Sequence, residues 1–232
     1  MPAATIPIQT SPRCPTAIRE KLFNIFVSPT DVFDEVIASP PNLANWRIPT
    51  LLACLVTIIS LGISPTLSST TINRLTQTAA ISTAQAQALA GAWPLLSALL
   101  VCIATFVGTC WSAFVLWLMG RIFLKVRFPY LKALEIVGLT AIISVLGSIT
   151  TILLIAASGD NAARPAFSLF VPNMSPTRPF YQILDTLNFF HLWSTTVLAI
   201  GLSRLCGSTF KEAAFWVFGY WMVARIVLTI LQ

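Results

Sequence analysis

The segment WPLLSALLVCIATFVGTCWSAFVLWLM, residues 93–119, carries no charged side chain and decides the fold class. A helix needs about 20 mostly apolar residues to cross the hydrocarbon core of a bilayer, and this segment is longer than that. The whole chain has the same character, because 56% of its 232 residues are hydrophobic and only 9% are charged. A soluble domain carries roughly 25% charged residues. The sequence therefore predicts an integral membrane protein whose apolar surface faces lipid.

Four other apolar segments have the length of a membrane span, one before residues 93–119 and three after them. The fourth span in chain order contains Asp185, Asn188 and His191, so a bundle without this helix is the main alternative. We predict an all-α, polytopic membrane protein, with a five-transmembrane-helix bundle in residues 48–232. The predicted spans cover residues 48–67, 93–119, 135–157, 181–202 and 213–232.

The distribution of Lys and Arg predicts the orientation of this bundle, since short cytoplasmic loops are rich in both residues. Basic residues are frequent before the first span, scarce after it, and frequent again after the second span. They are scarce in the longer loop before the fourth span and moderately frequent between the fourth and fifth. This alternation predicts a cytoplasmic N-terminus and an external C-terminus, and it would be blurred if the fourth span were omitted.

Two N-terminal regions precede the bundle. Residues 1–17 contain several prolines and little periodicity, which predicts a mobile tail. Residues 18–47 predict short amphipathic helices at the cytoplasmic surface of the bilayer, the second of them capped by Ser28. Trp46 and Arg47, just before the first span, are predicted to anchor the chain at the membrane interface.

Ionisable side chains within membrane spans are costly, and they mark candidate functional sites. Asp185 of the fourth span and Arg225 of the fifth are predicted at similar depth in the outer leaflet. We interpret them as an ion pair; the alternative is that each side chain reaches the interface separately. A double-mutant cycle with Asp185→Asn and Arg225→Gln distinguishes the two, since additive effects would exclude a pair.

Asn188, His191 and Thr195 lie with Asp185 within about a third of the helix circumference. This polar stripe predicts a helix face turned toward the bundle interior, where interhelical hydrogen bonds would use it. The alternative is a proton or solute path in which His191 acts as a titrating relay.

For one charged pair and two pairs of small residues in the spans, we predict structural roles alone. Lys132 and Glu135, three residues apart near the start of the third span, are interpreted as a surface ion pair. Gly108 and Ser112 have the small-xxx-small spacing that lets helices approach closely, and Gly147 has the same spacing to a threonine.

Catalytic and metal-binding motifs are not found in the chain. It contains no G-x-S-x-G, no HExxH and no Gly-rich phosphate-binding loop. Its five cysteines form no CxxC pair, and its one histidine has no cluster of ligands around it. The net charge of +6 lies at the ends of apolar segments, where it suits anionic headgroups better than nucleic acid. We therefore expect no enzyme, no metal, no cofactor and no nucleic-acid partner.

The chain resembles the Yip1 domain family, in particular its short bacterial members. The stretch IFVSPTDVFDEVIASPPNLANWRIPTLL, residues 25–52, is similar to the family's S-P-x-x-x-F helix followed by Trp and Pro before the first span. The stretch ILDTLNFFHLWSTTVLAIGLSRLCGSTFKEAAFWVFGYW, residues 183–221, is similar to the family's last two spans. The resemblance covers about residues 20–231. It implies a five-helix membrane domain with a cytoplasmic N-terminus.

In eukaryotes this family is associated with Rab GTPases and vesicle traffic, a role with no counterpart in a bacterial cell. We expect a multi-pass protein of the bacterial cytoplasmic membrane, acting as a non-enzymatic scaffold or membrane-organising protein. Its expected partners are the lipid bilayer and either other membrane proteins or further copies of this chain. The alternative is a small-solute or ion transporter that uses the polar stripe of the fourth helix. A water-accessible cavity at the stripe would favour transport, and tight packing there would favour a scaffold.

Overall fold

The computed structural model describes residues 17–63, 83–159, 163–171, 184 and 187–230. Within these ranges the chain forms seven α-helices and one 3₁₀-helix, Phe167–Phe170, and it is all-helical as predicted. The predicted tail lies outside the described residues except for Ala17. The α-helices are α1 (Ile18–Val27), α2 (Pro29–Ala38), α3 (Ala44–Ile63), α4 (Thr83–Ile122), α5 (Tyr130–Ser158), α6 (Phe189–Cys206) and α7 (Phe210–Ile230).

Three of the described helices are long and apolar enough to cross a membrane. These segments are Leu95–Ile122 in α4, Tyr130–Ser158 in α5 and Phe189–Cys206 in α6. Helix α3 contributes a shorter apolar segment, Ala44–Ser60. Helix α7 carries Lys211 and Glu212 in its first turn and Arg225 farther along. The chain is therefore a multi-pass membrane protein, and the count of five spans stays a prediction.

The helix predicted as the fourth span starts eight residues later than the sequence suggested. Asn188 occupies the N-cap position of α6, where its side chain accepts a hydrogen bond from the Phe190 N–H at 2.9 Å. Asparagine caps helices well, because its side-chain oxygen satisfies a backbone amide that has no partner within the helix. At the other end, Gly207 ends the helix in the left-handed conformation with φ 60°. Of the polar residues that weakened this span, His191 lies in the helix and Asn188 caps it, whereas Asp185 lies outside the described residues.

Close helix contacts at three glycines hold α3, α5 and α6 together. Gly138 of α5 lies directly against the backbone of Trp46 in α3, where a side chain would overlap the Trp46 Cα. Gly147 of α5 makes room for Phe190 of α6, since a Cβ there would lie 2.9 Å from the phenyl ring. Gly201 of α6 makes similar room for Ile136. The packing role predicted for Gly147 agrees with this contact.

The packing role predicted for Gly108 is not found. A Cβ at Gly108 would meet no atom within 4 Å, and both Gly108 and Ser112 line a cavity. The small-xxx-small spacing shows only that two small residues share a helix face. Whether another helix approaches that face depends on the positions of its neighbours.

Helices α1 and α2, together called the platform below, pack against the side of the bundle formed by α5 and α6. Ile25 and Phe33 are fully buried in one core with Ile136 and Leu202. The platform was predicted to lie on the bilayer surface. Amphipathicity does not distinguish the two placements, because an apolar stripe can be buried against lipid or against helices. Ser28 does occupy the N-cap position of α2, but its side chain makes no capping hydrogen bond.

Candidate functional site

The ion pair between Lys132 and Glu135 is buried, whereas the sequence predicted it on the surface. The residues are 6% and 1% exposed, and the Lys132 Nζ lies 3.2 Å from the Glu135 Oε2. Both residues are in the first two turns of α5, which pack against the platform. Burying charges is costly unless the partners and hydrogen bonds are complete, so the environment of this pair is informative.

All three Lys132 donors and both Glu135 carboxylate oxygens have hydrogen-bond partners. The Lys132 Nζ donates to the Val36 carbonyl oxygen at 2.5 Å and to the Ser39 carbonyl oxygen at 2.6 Å, besides Glu135. A lysine ammonium has three N–H donors, so none is left over. The Asn42 backbone N–H donates to the other carboxylate oxygen of Glu135. The pair therefore joins α5 to the end of α2 and to the connection that follows it.

The end of α2 leaves carbonyl oxygens that need hydrogen-bond donors from outside the helix. In a continuing helix the Val36 carbonyl would accept from the N–H of residue 40, but Pro40 has no N–H. Two other donors replace it: the Ser39 hydroxyl at 3.1 Å and the Lys132 ammonium, which reaches the negative end of the α2 dipole from another helix. The sequence contained two indications of this contact. One is a helix that ends at two prolines, and the other is a Lys and a Glu three residues apart near the start of a later span.

Two further ion pairs connect the platform. Lys21 of α1 lies 3.2 Å from Glu35 of α2 and is itself buried, so it joins the two platform helices. Arg204 of α6 lies 3.6 Å from Asp34, but both side chains are about half exposed. Exposed pairs contribute about 0–1 kcal/mol, so the buried Lys132–Glu135 pair is the main polar link between platform and bundle.

A cavity of about 600 Å³ lies among α4, α5, α6 and α7, with Ala53 of α3 at its edge. Its polar lining includes hydroxyl groups from α4, α5 and α6, together with Tyr220 and Arg225 of α7. Several of these hydroxyls donate to carbonyl oxygens of their own helix, such as Thr195 to His191 at 2.7 Å. Ser112 and Ser144 are exposed to the cavity.

The lining of this cavity changes from apolar to polar along the bundle axis. Depth is measured here from the bundle end at which α4 and α6 finish and α5 and α7 begin, at about 1.5 Å per residue. The Gly201–Ile136 and Gly147–Phe190 contacts agree with this scale, because both partners fall at similar depths. The apolar side chains lie within about 12 Å of that end: Val115, Leu116, Met119, Val137, Leu198 and Val217. The polar ones lie about 15–25 Å from it: Thr105, Thr109, Ser112, Thr140, Ser144, His191, Ser194, Thr195, Tyr220 and Arg225.

The structure brings together only part of the predicted polar cluster. His191, Thr195 and Arg225 all line the cavity, and the Arg225 guanidinium lies 5.8 Å from the Trp221 ring centroid. Asn188 caps α6 instead of continuing the stripe. Asp185 lies outside the described residues, so its pairing with Arg225 stays a prediction.

The two residues predicted as interface anchors differ in their surroundings. Trp46 lies between helices, against Gly138 and edge-on to Phe106 at 6.2 Å between ring centroids. Arg47 is exposed, with its guanidinium over the Trp46 ring, and its anchoring role stays a prediction. Both residues lie in α3, but neighbouring residues of a helix do not face the same way, so Trp46 meets α5 while Arg47 is exposed.

Sequence reasoning missed the hydroxyl groups that α4 and α5 contribute to the cavity. Thr105, Thr109 and Ser112 repeat at helical spacing on α4, and Thr140 and Ser144 do so on α5. Residues separated by three, four or seven positions share a helix face, so two polar faces were visible in the sequence. What the spacing did not show is that these faces meet the His191 face of α6.

Comparison with known families assigns most of the chain to one domain. The sequence model of the Yip1 domain matches residues 23–231 of this chain. The chain belongs to the Yip1 domain family. No curated protein and no solved structure matches it significantly.

The Yip1 domain includes most of the platform as well as the bundle. Its first matched residue, Phe23, lies within α1, so α2 and the Lys132–Glu135 pair belong to the domain. The cavity lies within it as well. The resemblance proposed from the sequence is therefore confirmed over nearly the same residues, and the protein is an integral, multi-pass membrane protein of this family.

Proposed function

We propose that this Yip1-family protein is a non-enzymatic scaffold that organises other components at one face of the membrane, with the platform as its binding surface. The observation that carries the proposal is an exposed apolar pair on a helix whose opposite side is fixed to the bundle. Phe23 and Val27, one turn apart on α1, are 71% and 73% exposed. The proposed location is the bacterial cytoplasmic membrane, with the platform on the cytoplasmic side.

The rigid attachment of the platform supports this role. Buried Ile25 and Phe33 hold the inner side of α1 and α2, and the Lys132–Glu135 pair holds the end of α2. A binding surface that is already ordered loses less conformational entropy when it meets a partner. The platform therefore has the fixed geometry that a binding surface needs.

The outer face of α1 supports contact with a membrane-bound partner. Phe23 and Val27 are accompanied by the exposed polar residues Arg19, Glu20 and Asn24. Exposed apolar side chains rimmed by polar ones are typical of interaction surfaces. We propose a membrane protein or a further copy of this chain as the partner.

The test is proximity labelling and co-purification from native membranes, comparing the wild type with a Phe23→Ser/Val27→Ser variant. We expect a reproducible set of partners for the wild type and loss of that set in the variant, because the apolar contact is removed. Asn24→Ala is the matched control, since Asn24 is exposed on the same helix and contributes no apolar surface.

Two results would contradict the scaffold. One is a wild-type protein that recovers no reproducible partner from membranes. The other is a double variant that keeps every partner while its amount in the membrane is unchanged.

Transport of a small solute or ion is the second candidate, and one observation favours it. His191 and Thr195 both line a cavity, and His191 is exposed there. Ionisable side chains at such positions often mark solute paths. Proteoliposomes distinguish the candidates, because a scaffold gives no solute or proton flux above that of protein-free vesicles.

A further inference from the structure

A short basic loop, residues 121–127, connects α4 to α5. The membrane-spanning segment of α4 ends at Ile122 and that of α5 begins at Tyr130, so the loop lies where two spans leave the hydrocarbon core. The phosphates of lipids lie at this depth, just outside the core. The loop has the sequence RIFLKVR, and its three cations are all exposed: Arg121, Lys125 and Arg127.

Trp117 of α4 holds the two ends of the basic loop near each other. The Arg121 guanidinium lies over the indole ring, 5.1 Å from its centroid. The Trp117 Nε1 donates to the Phe128 carbonyl oxygen at 3.1 Å, which fixes the backbone next to Arg127 at the same ring. A guanidinium that stacks on an aromatic ring keeps its in-plane N–H donors for an anion.

The backbone of the basic loop is fixed by a hydrogen bond and strained at one residue. The Val126 N–H donates to the Gly120 carbonyl oxygen at 3.0 Å. Lys125, just before it, has φ 55° and is the only residue other than glycine with a positive φ in the described part of the chain. The left-handed conformation is unfavourable for a residue with a Cβ, and strain of this kind concentrates at functional sites. The loop therefore holds a lysine where glycine would fit without strain.

Exposed apolar side chains lie directly beside these cations. Phe123 stacks on Trp216 of α7 at 3.7 Å between ring centroids, which attaches the loop to a third helix. Phe123 and Ile122 are nevertheless 45% and 54% exposed. Cations next to exposed apolar side chains suit a phosphate that is joined to hydrocarbon chains, because free phosphate would use the cations alone.

No acidic side chain neutralises the basic loop within the described ranges, since none of the ion pairs there involves its three cations. The chain has two acidic residues outside those ranges, Asp160 and Asp185. In the sequence they follow the end of α5 and precede the start of α6, which are the helix ends farthest from the loop. Neighbouring cations repel one another, and an anion bound between them relieves this repulsion.

We propose that the basic loop binds the phosphate of one anionic phospholipid, with Arg121, Lys125 and Arg127 around the phosphate and the acyl chains against Ile122 and Phe123. Arginine binds phosphate oxygens through paired hydrogen bonds, so this is a saturable site and not only an attraction to a negative surface. The site uses no residue of the platform and is independent of the scaffold proposal.

The experiment titrates the full-length protein in a non-ionic detergent with phosphatidylglycerol, or with phosphatidylcholine that has the same acyl chains. Native mass spectrometry counts the lipid molecules bound to each protein molecule. We expect the first phosphatidylglycerol to bind about tenfold more tightly than the next one and than phosphatidylcholine. Glycerophosphate, which has the phosphate without acyl chains, should not displace it at equal concentration.

Arg121→Gln and Lys211→Gln provide a matched pair of variants, because each removes one exposed cation at the same end of the bundle. Lys211 lies five residues before Trp216, about 140° around α7 from the side that meets the loop. Arg121→Gln removes a charge-assisted contact and should weaken the binding of phosphatidylglycerol about tenfold. Lys211→Gln should leave it unchanged.

Lys125→Asn separates a loss of binding from a loss of folding. Asparagine adopts the left-handed conformation more readily than lysine and carries no charge. In detergent without added lipid, the variant should unfold at the same temperature as the wild type or at a higher one. It should nevertheless bind phosphatidylglycerol more weakly, because one of the three cations is lost.

Several outcomes would overturn the proposal. Equal affinities for the two lipids would show that the headgroup charge is not recognised. An equal loss in Arg121→Gln and Lys211→Gln would show attraction to surface charge alone, and displacement by glycerophosphate would show a phosphate site without a lipid. A stable Lys125→Asn variant that binds like the wild type would contradict the role of the strained lysine. The comparison of the two lipids needs only the wild-type protein, so it decides the matter even if a variant fails to fold.

Discussion

Glu135→Leu is expected to lower the free energy of unfolding by about 3–5 kcal/mol, the range for breaking a buried ion pair from one side. The substitution leaves the Lys132 ammonium buried without its carboxylate and removes the acceptor of the Asn42 N–H. Denaturant unfolding of the purified protein in detergent measures the change. Limited proteolysis should also cut the platform sooner, because α2 loses its link to α5.

Two further variants make this result specific to the buried pair. Lys132→Met/Glu135→Leu removes both charges and should be less unstable than Glu135→Leu alone, since no lone charge stays buried. Arg204→Gln breaks the half-exposed pair with Asp34 and should change stability by about 1 kcal/mol or less. If Glu135→Leu were no more harmful than Arg204→Gln, the pair would not be holding the platform.

Gly138→Ala is expected to destabilise the bundle by about 3 kcal/mol, at the upper end of typical overpacking effects. The new methyl group would overlap the Cα and Cβ of Trp46, and its next neighbour is the Asn45 carbonyl oxygen. Backbone atoms cannot move away by a rotamer change, so α3 must shift away from α5 as a whole. Thermal unfolding in detergent and the amount of folded protein in membranes both measure this effect.

Gly219→Ala is the matched control for this prediction. A Cβ at Gly219 meets no atom within 4 Å, and alanine favours a helix over glycine by about 0.5–1 kcal/mol. This variant should therefore be as stable as the wild type or slightly more stable. Equal stability of the Gly138 and Gly219 variants would show that α3 and α5 do not meet at Gly138.

The buried pair also links stability to the proposed function. Because Lys132 orders the end of α2, a loss of the pair should release the platform that carries Phe23 and Val27. Partner recovery should then fall in Glu135→Leu even though the binding side chains are unchanged. A release of the platform without loss of partners would place the binding surface elsewhere in the chain.

The placement of α6 shows that hydropathy alone does not determine where a helix begins. Asp185, Asn188 and His191 lower the mean hydropathy of residues 181–202, and this made the fourth span the doubtful one. The structure begins the helix at Phe189, and the shifted segment Phe189–Cys206 is apolar enough to cross a membrane. A capping residue marks the start of a helix more sharply than an average over a window can.

Composition and the length of the apolar segments by themselves determined that this chain is a helical membrane protein. So few charged side chains cannot cover the surface of a water-soluble fold. Within the bilayer, a helix satisfies its own backbone hydrogen bonds. Local motifs also carried the family resemblance and the two platform helices. Only the tertiary structure decided that Lys132 and Glu135 are buried, since an i, i+3 pair has the same geometry on a surface or beneath another helix. It likewise decided that Gly147 packs while Gly108 lines a cavity, because identical spacing does not determine which helix, if any, lies opposite.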